Sequence, residues 1–332
     1  MTPKVSVVIP TYNEEDYIRG CLDSLAHSTL AKPDFEVLVV DGMSEDGTSA
    51  IVESYPKEEL DLRLIENKYR TTPFALNLGI KASISEVVLI LGAHSEVYPD
   101  FLERNLQALE AELDACCVGG IAENVYSNPT AEAIGAAMGS SFGVGNAHFR
   151  TGKKSGFVDT VAFGAYRREV FERIGYFDEM LTRNQDDEFN YRMTSKGMKI
   201  FLDPGIRYKY YVRGDFKKLY RQYYQYGYWK VFVNKKHGSV TTWRQLVPML
   251  FVAYLFIALV VSVLSSSVAL LTPLILYLGL AVFMAYRSHP SDPVRTLRAF
   301  LILHLAYGIG YWGGILDALI LNRSAGENQS SR

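Results

Sequence analysis

The sequence predicts an α/β domain built on a mostly parallel sheet, followed by an interfacial amphipathic helix and by transmembrane helices. Before Leu246, short apolar runs alternate with stretches of helical spacing, which is typical of a parallel sheet covered on both faces. After Leu246, three long segments carry almost no charge, and each approaches the roughly 20 residues that cross a bilayer. The predicted boundaries are 1–212 for the α/β domain, 213–240 for the amphipathic helix, 241–322 for the transmembrane region and 323–332 for a polar tail.

Four apolar runs are predicted as strands, and the segments between them as helices. The strands are "VSVVIP", "FEVLVVDG", "LRLIEN" and "EVVLILGA", and the helices are "NEEDYIRGCLDSLAHS", "TSAIVESYP" and "PFALNLGIKAS". Ligands of such sheets bind beyond the carboxyl ends of the strands. The polar stretches "PTYNEE", "DGMSEDGT" and "GAHSE" all follow strands, so this edge is the predicted site. No GxGxxG follows the first strand, which argues against a dinucleotide site.

Charge and cysteine content narrow the class of protein. The 332 residues have a net charge of −2, which gives no reason to expect nucleic acid as a partner. Cys21, Cys116 and Cys117 form no CxxC pair, which favours a reducing compartment. The apolar run before Pro10 is too short for a signal peptide, so we expect the beginning of the chain to stay in the cytoplasm.

The three C-terminal segments predict a multi-pass membrane protein. Soluble helices rarely lack a polar face over such lengths, which disfavours three buried helices of a soluble domain. The link "SSS" is uncharged, whereas the second link and the residues before the first segment are basic, so the N-terminal domain is predicted to be cytoplasmic. His304 and Asp317 in the third segment are either functional groups or partners in interhelical hydrogen bonds.

The stretch "GDFKKLYRQYYQYGYWKVFVNKKHG" predicts a helix at the membrane surface. Tyrosine and tryptophan favour the boundary between membrane and water, and basic side chains favour anionic lipid headgroups. An RNA-binding patch is the alternative, and the transmembrane segments that follow directly disfavour it.

Several motifs together resemble family 2 glycosyltransferases, which have the GT-A fold. They are "VSVVIPTYNEEDYIRGCLDSL", "FEVLVVDGMSEDGT", "FALNLGIKAS", "FGAYRREVFERIGYFDE" and "QDDEFNYRM", and the resemblance covers roughly residues 4 to 230. The three C-terminal segments and "RQYYQYGYWK" resemble the succinoglycan-type branch of membrane enzymes, which extend sugars on a polyprenyl diphosphate lipid.

The resemblance implies a nucleotide site at the ends of the first two strands. The implied contacts are Pro10, Thr11, Tyr12, Glu14 and Asp41, with Gly92 and Ala93 from the fourth strand end. Tyr12 offers a ring for stacking on a base, and Asp41 holds the position that accepts the uracil N–H in the family. Glu14 and Glu15 are alternatively acids of a helix's first turn, and Asp46 with Gly47 indicates turn chemistry.

The family's donor motif is Asp-x-Asp, whose second acid binds Mn²⁺ or Mg²⁺ beside the donor diphosphate. In this chain the two positions are Gly92 and His94. Imidazole is a good ligand for Mn²⁺, so His94 is the predicted metal ligand, and Glu96 is a nearby source of a carboxylate. The alternative for His94 is a neutral histidine satisfied at a strand end.

The family pattern Glu-Asp-x-x-Leu-x-x-Arg aligns with "QDDEFNYR". Gln185 then stands in place of the glutamate, and Asp186 is implied as the catalytic base. Inverting transfer needs one carboxylate to take the proton of the attacking hydroxyl. Arg192 is predicted either to orient Asp186 or to help neutralise the leaving diphosphate. The alternative is an acidic helix N-terminus that faces solvent.

The remaining candidates concern the acceptor and the sugar. Gly164 would let the backbone approach a ligand closely. Phe163 and Tyr166 would stack on a sugar, and the alternative for each is ordinary packing. The full set of predicted acceptor or sugar residues is Phe163, Gly164, Asp187, Glu188, His148, Arg150, Gln222 and Trp229.

The predicted function is that of an inverting glycosyltransferase of the inner membrane, with its catalytic domain in the cytoplasm. Its predicted partners are a nucleotide-sugar donor, expected to be UDP-linked, a polyprenyl-diphosphate-linked glycan acceptor and membrane lipids, and its cofactor is a divalent cation. Two alternatives remain: transfer onto polyprenyl phosphate, and a non-catalytic nucleotide-sugar-binding membrane scaffold. The family often has acidic residues at the positions of Gly42, Gly92 and Gln185, and their absence favours the scaffold. The joint presence of Asp41, Asp186 and Arg192 favours catalysis.

Overall fold

The computed structural model describes residues 2–145, 148–151, 155–212, 214–241, 243–265 and 268–324. The chain forms two compact units. The first contains residues 1–125 and 148–211, and the second contains residues 126–147 and 212–332.

The strands and helices occur in the following order. The strands are β1 (Val5–Thr11), β2 (Phe35–Asp41), β3 (Leu62–Glu66), β4 (Val87–Ile90), β5 (Ser95–Val97), β6 (Ala115–Tyr126), β7 (Gly156–Val158), β8 (Ala165–Arg167) and β9 (Lys199–Val212). The helices are α1 (Ile18–Ala26), α2 (Thr48–Glu53), α3 (Thr72–Ala82), α4 (Phe101–Ala111), α5 (Pro129–Met138), α6 (Ser141–Val144), α7 (His148–Thr151), α8 (Glu169–Ile174), α9 (Gln185–Ser195), α10 (Phe216–His237), α11 (Leu246–Ser265), α12 (Thr272–Ser288) and α13 (Pro293–Ile315). A π-helical turn at Leu316–Ile320 follows α13.

The first unit is built on one mixed sheet with the strand order β3-β2-β1-β4-β8-β6-β9-β5, and β7 pairs with β9. The pairs β1–β2, β1–β4 and β2–β3 are parallel, whereas β4–β8, β6–β8, β5–β9 and β7–β9 are antiparallel. Every residue of β2 is buried, because helices cover both faces of this part of the sheet. The predicted α/β class and all four predicted strands are therefore confirmed.

The strand order creates a switch point between β1 and β4. From β1 the chain adds β2 and then β3 on one side, and returns to place β4 on the other side. The connections after β1 and after β4 leave the sheet in opposite directions, which opens a crevice beyond their carboxyl ends. The segments at that crevice are residues 12–15 and 91–94.

The second unit is helical and contains α5, α6 and α10–α13. Asp215 caps α10 by accepting hydrogen bonds from the amides of Lys217 and Lys218. Inside the unit, α13 packs against α10, α5, α11 and α12. His304 and Asp317 both have partners: His304 bonds to Tyr277 and to the Phe142 carbonyl, and Asp317 accepts from Tyr228 and Arg323.

Three helices of this unit are long and apolar enough to cross a membrane. They cover Trp243–Ser265, Ala269–Ser288 and Pro293–Ile320, and α11 matches the first predicted segment residue for residue. Of the "SSS" link, Ser266 and Ser267 lie outside the described residues, as does the predicted polar tail from residue 325 onward.

Candidate active site at the sheet edge

The carboxyl ends of β1 and β2 are joined by a network around Asp41. The buried carboxylate of Asp41 accepts hydrogen bonds from Thr11 Oγ1, from the amide and hydroxyl of Ser44, and from Ser49 Oγ, at 2.6–3.0 Å. Four bonds use the lone pairs of a carboxylate, so Asp41 holds the loop after β2 in place. Ser44 and Ser49 are site residues that the sequence analysis did not single out.

The turn after β1 is fixed against the same loop. Asn13 adopts the left-handed conformation, with φ of 55°, which asparagine tolerates better than most residues. The backbone amide of Asn13 donates to Ser44 Oγ, and its side-chain Oδ1 accepts from the backbone amide of Glu45. The next amide, that of Glu14, donates to Thr48 Oγ1 at 2.8 Å. Glu14 and Glu15 thus lie in this turn and precede α1, which begins at Ile18.

Glu14 and His94 meet across the switch-point crevice. Glu14 Oε1 lies 3.7 Å from His94 Nδ1, a distance too long for a hydrogen bond. That nitrogen is buried and has no hydrogen-bond partner among the described residues. The side chain of His94 as a whole remains partly exposed. A carboxylate oxygen and an unused imidazole nitrogen therefore face each other at the edge of the sheet where the nucleotide site is predicted.

The first acid of the Asp-x-Asp motif is excluded by packing as well as by sequence. A Cβ atom at Gly92 would lie 2.8 Å from two ring carbons of Phe163. Phe163 itself has φ of 53°, and its ring packs edge-on against Tyr208 at 4.7 Å. Phe163 therefore fills the space that a side chain at position 92 would need.

The described residues contain no group of three or more His, Cys, Asp or Glu side chains able to hold a metal ion by themselves. Glu96, the expected extra carboxylate, accepts hydrogen bonds from Tyr211 and Lys209. Burial acts to raise the pKa of Glu96, but these hydrogen bonds outweigh it and hold the pKa below its ordinary value. Metals that bridge substrate phosphates commonly use only one or two protein ligands. Glu14 and His94 fit that requirement.

Tyr210 connects the donor edge with the predicted acceptor loop. Its ring lies 5.4 Å from the His94 ring, edge-on, and 5.6 Å from the guanidinium of Arg150 on α7. The β5–β9 register, with Ser95 opposite Tyr210, sets this position. No local sequence signal marks Tyr210, because the contact depends on that long-range pairing. His148, also on α7, is exposed.

The predicted base Asp186 lies in the first turn of α9 and is exposed. It is close enough to the buried Tyr166 of β8 to affect its ionisation: burial raises the pKa of Tyr166 well above its ordinary value, and Cys117 and Asp186 add to this. Asp187, beside it, is partly exposed. The segment that leads to α9 is anchored by Asn77, which bonds both the amide and the carbonyl of Phe177.

Arg192 lies in the last turn of α9, is 17% exposed, and forms an ion pair with the buried Glu188. Its Nε and Nη2 donate to the two carboxylate oxygens of Glu188 at 3.1 and 3.0 Å. Two further bonds reach the carbonyls of Ile174 and Tyr176. Glu188 is completely buried. These contacts tie α9 to the end of α8, so the geometry favours a positioning role for both residues.

Contacts within each unit involve Gly164, Gln222 and Trp229, which were also predicted as acceptor or sugar residues. The small size of Gly164 is explained by packing, because a Cβ atom there would lie 2.7 Å from Cys117 Sγ. In the second unit, Gln222 donates to Tyr226 at 2.9 Å. Trp229 is 1% exposed and packs on Tyr228 and Phe232.

A parallel α/β sheet with a switch-point crevice, continued by antiparallel strands, defines a GT-A glycosyltransferase fold. The family model "Glycosyl transferase family 2" matches residues 6–175. With just over half of the chain matched, the protein belongs to glycosyltransferase family 2, which confirms the resemblance seen in the sequence motifs.

The chain is also similar in sequence to two named relatives and in fold to a solved structure. The chain is 31% identical over 230 residues (67% of this chain and 71% of the relative) to a dolichyl N-acetyl-α-D-glucosaminyl phosphate 3-β-D-2,3-diacetamido-2,3-dideoxy-β-D-glucuronosyltransferase of Methanococcus voltae. It is 28% identical to the succinoglycan biosynthesis protein ExoA of Rhizobium meliloti (strain 1021) over 94% of both chains. The mannosyltransferase PcManGT from Pyrobaculum calidifontis, solved with GDP-Man and Mn²⁺, shares the fold with a TM-score of 0.65 at 20% identity, over 93% of this chain and 88% of that one.

Proposed function

We propose that the protein is an inverting glycosyltransferase that moves a sugar from a UDP-sugar to a polyprenyl-diphosphate-linked glycan in the synthesis of a cell-surface polysaccharide. The observation that carries the proposal is the approach of Glu14 to His94 across the switch-point crevice. The relatives support a lipid-linked acceptor, because one is named for a dolichyl phosphate sugar and another for succinoglycan synthesis.

His94 and Glu14 would hold a divalent cation together with oxygens of the donor diphosphate. A bound cation neutralises charge that develops on the leaving nucleoside diphosphate. An imidazole ligand favours Mn²⁺ over Mg²⁺. In this proposal Arg150, whose guanidinium lies over the ring of Tyr210, supplies further positive charge on the acceptor side.

Asp186 is the proposed catalytic base. Its carboxylate takes the proton of the acceptor hydroxyl while that oxygen bonds to the anomeric carbon of the sugar. The bond between that carbon and the diphosphate oxygen breaks, and the diphosphate leaves with the electron pair, so the configuration is inverted. The ion pair of Glu188 with Arg192 positions the turn that carries Asp186. Asp41 with its hydroxyl partners shapes the nucleotide edge.

The proposed location is the inner membrane, with the catalytic sheet in the cytoplasm, where nucleotide sugars are made. The basic residues that precede α11 and those that follow α12 support this orientation. The three apolar helices support this location, because a polyprenyl-linked acceptor would lie in the membrane.

Calorimetry of UDP binding to the detergent-purified full chain tests the donor site. We expect binding in the presence of Mn²⁺ and a fall of at least about tenfold in affinity with EDTA or in His94→Ala, because each removes part of the proposed cation site (about 1.4 kcal/mol per tenfold change). His27→Ala is the matched control, since His27 is exposed at the end of α1 and its ring bonds to the carbonyl of Asp23.

Equal UDP affinity in the wild type, in EDTA and in His94→Ala would remove the cation from the proposal. A lack of UDP binding under every condition, together with binding of another nucleotide, would overturn the UDP assignment.

A further inference from the structure

We propose that only α11 and α12 cross the bilayer, and that α13, although apolar enough to span it, stays on the side from which α11 enters. The surface of this protein that contacts lipid is then the outward face of the hairpin formed by α11 and α12. This inference depends on packing within the helical unit and not on the reaction proposed above.

Helices α10 and α13 lie side by side and run in the same direction. Near their beginnings, the Arg298 guanidinium lies 4.5 Å from the ring centroid of Phe216. Near their ends, Lys235 Nζ donates to the carbonyl of Ala318 at 2.6 Å. Residue numbers rise together along both helices, so the contact extends over about 20 residues, or about 30 Å.

Glycines bring the two backbones close together along this contact. A Cβ atom at Gly310 would lie 2.0 Å from the Tyr224 carbonyl oxygen, and one at Gly314 would lie 2.4 Å from that of Tyr228. On the facing helix, a Cβ atom at Gly227 would lie 2.0 Å from the Tyr307 carbonyl oxygen. The two helices therefore lie at the same depth relative to the membrane.

Helix α10 is too polar for the hydrocarbon layer. It is absent from the three described helices that are apolar enough to span. Its polar side chains occur from one end to the other, and they are Lys217, Lys218, Arg221, Gln222, Gln225, Lys230, Asn234, Lys235 and Lys236. A single lysine at the centre of a spanning helix costs roughly 2.5–3.5 kcal/mol. A spanning α13 would take the whole of α10 into the membrane, which this composition opposes.

Exposure also distinguishes α13 from the other two apolar helices. Within the most apolar stretch of each span, 6% is buried for the α11 span and 11% for the α12 span, but 50% for the α13 span. Helix α13 uses its apolar side chains for protein contacts, for example Phe300, whose ring meets Phe142 edge-on at 5.0 Å. Leu259, Val263, Ile275 and Leu276 on α11 and α12 are all at least 60% exposed, which suits lipid as their partner.

Charge agrees with a two-span topology. The link between α12 and α13, with the first turns of α13, contains Arg295 and Arg298, and Arg323 follows α13. The residues between α11 and α12 carry no charge. If α13 stays on the entry side, all of these arginines share it, in agreement with the positive-inside rule. A third crossing would separate Arg323 from the other two.

Labelling of single added cysteines in spheroplasts that express the full chain tests the topology. Leu113→Cys marks the first unit, Val268→Cys the tip between α11 and α12, and Ser324→Cys the end of α13; all three positions are exposed. A membrane-impermeant maleimide is applied before and after permeabilisation. The wild-type chain is the background control: Cys21 and Cys117 are buried, and it measures any labelling of the partly exposed Cys116.

We expect Val268→Cys to be labelled before permeabilisation. We expect Leu113→Cys and Ser324→Cys to be labelled only after it. Labelling of Ser324→Cys together with Val268→Cys would show that α13 crosses and would overturn the inference. Identical behaviour of all three positions would show that the hairpin does not cross, which overturns it as well.

Discussion

Replacing Asp186 by asparagine is expected to lower kcat of sugar transfer by about 10²–10⁴-fold, the usual contribution of a general base. Asparagine keeps the size of the side chain but cannot take the proton of the acceptor hydroxyl. Nucleotide affinity should stay within about twofold of the wild type, because Asp186 is proposed to act on the acceptor, whereas the proposed donor site lies at the ends of β1, β2 and β4. The measurement is UDP release at saturating donor, with UDP affinity determined by calorimetry on the same preparation.

Two further variants show whether the loss belongs to Asp186. Glu172→Gln removes an exposed acid from α8 and should leave both quantities unchanged. Asp187→Asn removes the neighbouring acid. A larger loss in Asp187→Asn than in Asp186→Asn would transfer the role of base to Asp187. Wild-type rates in both would show that neither carboxylate takes the proton.

Replacing Arg192 by alanine is expected to destabilise the first unit by about 3–5 kcal/mol, because it removes the positive charge that donates to both carboxylate oxygens of the completely buried Glu188. It also leaves the carbonyls of Ile174 and Tyr176 without donors. For a domain of this size, about 2–4 °C of melting temperature corresponds to each kcal/mol. Differential scanning calorimetry of the detergent-purified chain measures the change.

The matched control is Arg173→Ala, which removes an exposed arginine from α8 and should change stability by less than about 0.5 kcal/mol. The double variant Glu188→Met/Arg192→Leu should recover part of the loss, since it removes both charges. A melting temperature of Arg192→Ala equal to that of the wild type would show that the ion pair does not hold α9, and would make Arg192 available for the diphosphate.

The regular part of the fold could be predicted because its signals are local. Continuous apolar runs such as "VLVV" specify buried parallel strands, and the uncharged stretch from Leu246 specifies α11 to the residue. The edge at which the polar strand ends converge also follows, since parallel strands end at one edge. The sequence analysis assigned Arg192 to Asp186 or to the diphosphate and did not predict its ion pair with Glu188, although the i, i+4 spacing of the two residues allows one on a helix.

The rest of the site depends on long-range contacts that no local pattern shows. Tyr210 meets His94 only because β9 pairs antiparallel with β5, more than a hundred residues earlier. Phe163 fills the space at Gly92 only because its backbone adopts a left-handed conformation beside β4. The proposed place of α13 also depends on a long-range contact. Its composition suits lipid, and only its packing against α10 indicates that it contacts protein instead.

Acceptor-dependent release of UDP tests the proposed function most directly. The purified chain is supplied with Mn²⁺, a panel of UDP-sugars and polyprenyl-diphosphate-linked sugars, and UDP is measured for the wild type and for Asp186→Asn. We predict that at least one donor releases UDP only when the lipid-linked acceptor is present, and that Asp186→Asn abolishes this release. UDP-sugar binding without release for any pair of donor and acceptor, with the wild type and Asp186→Asn indistinguishable, would contradict catalysis and favour a nucleotide-sugar-binding scaffold.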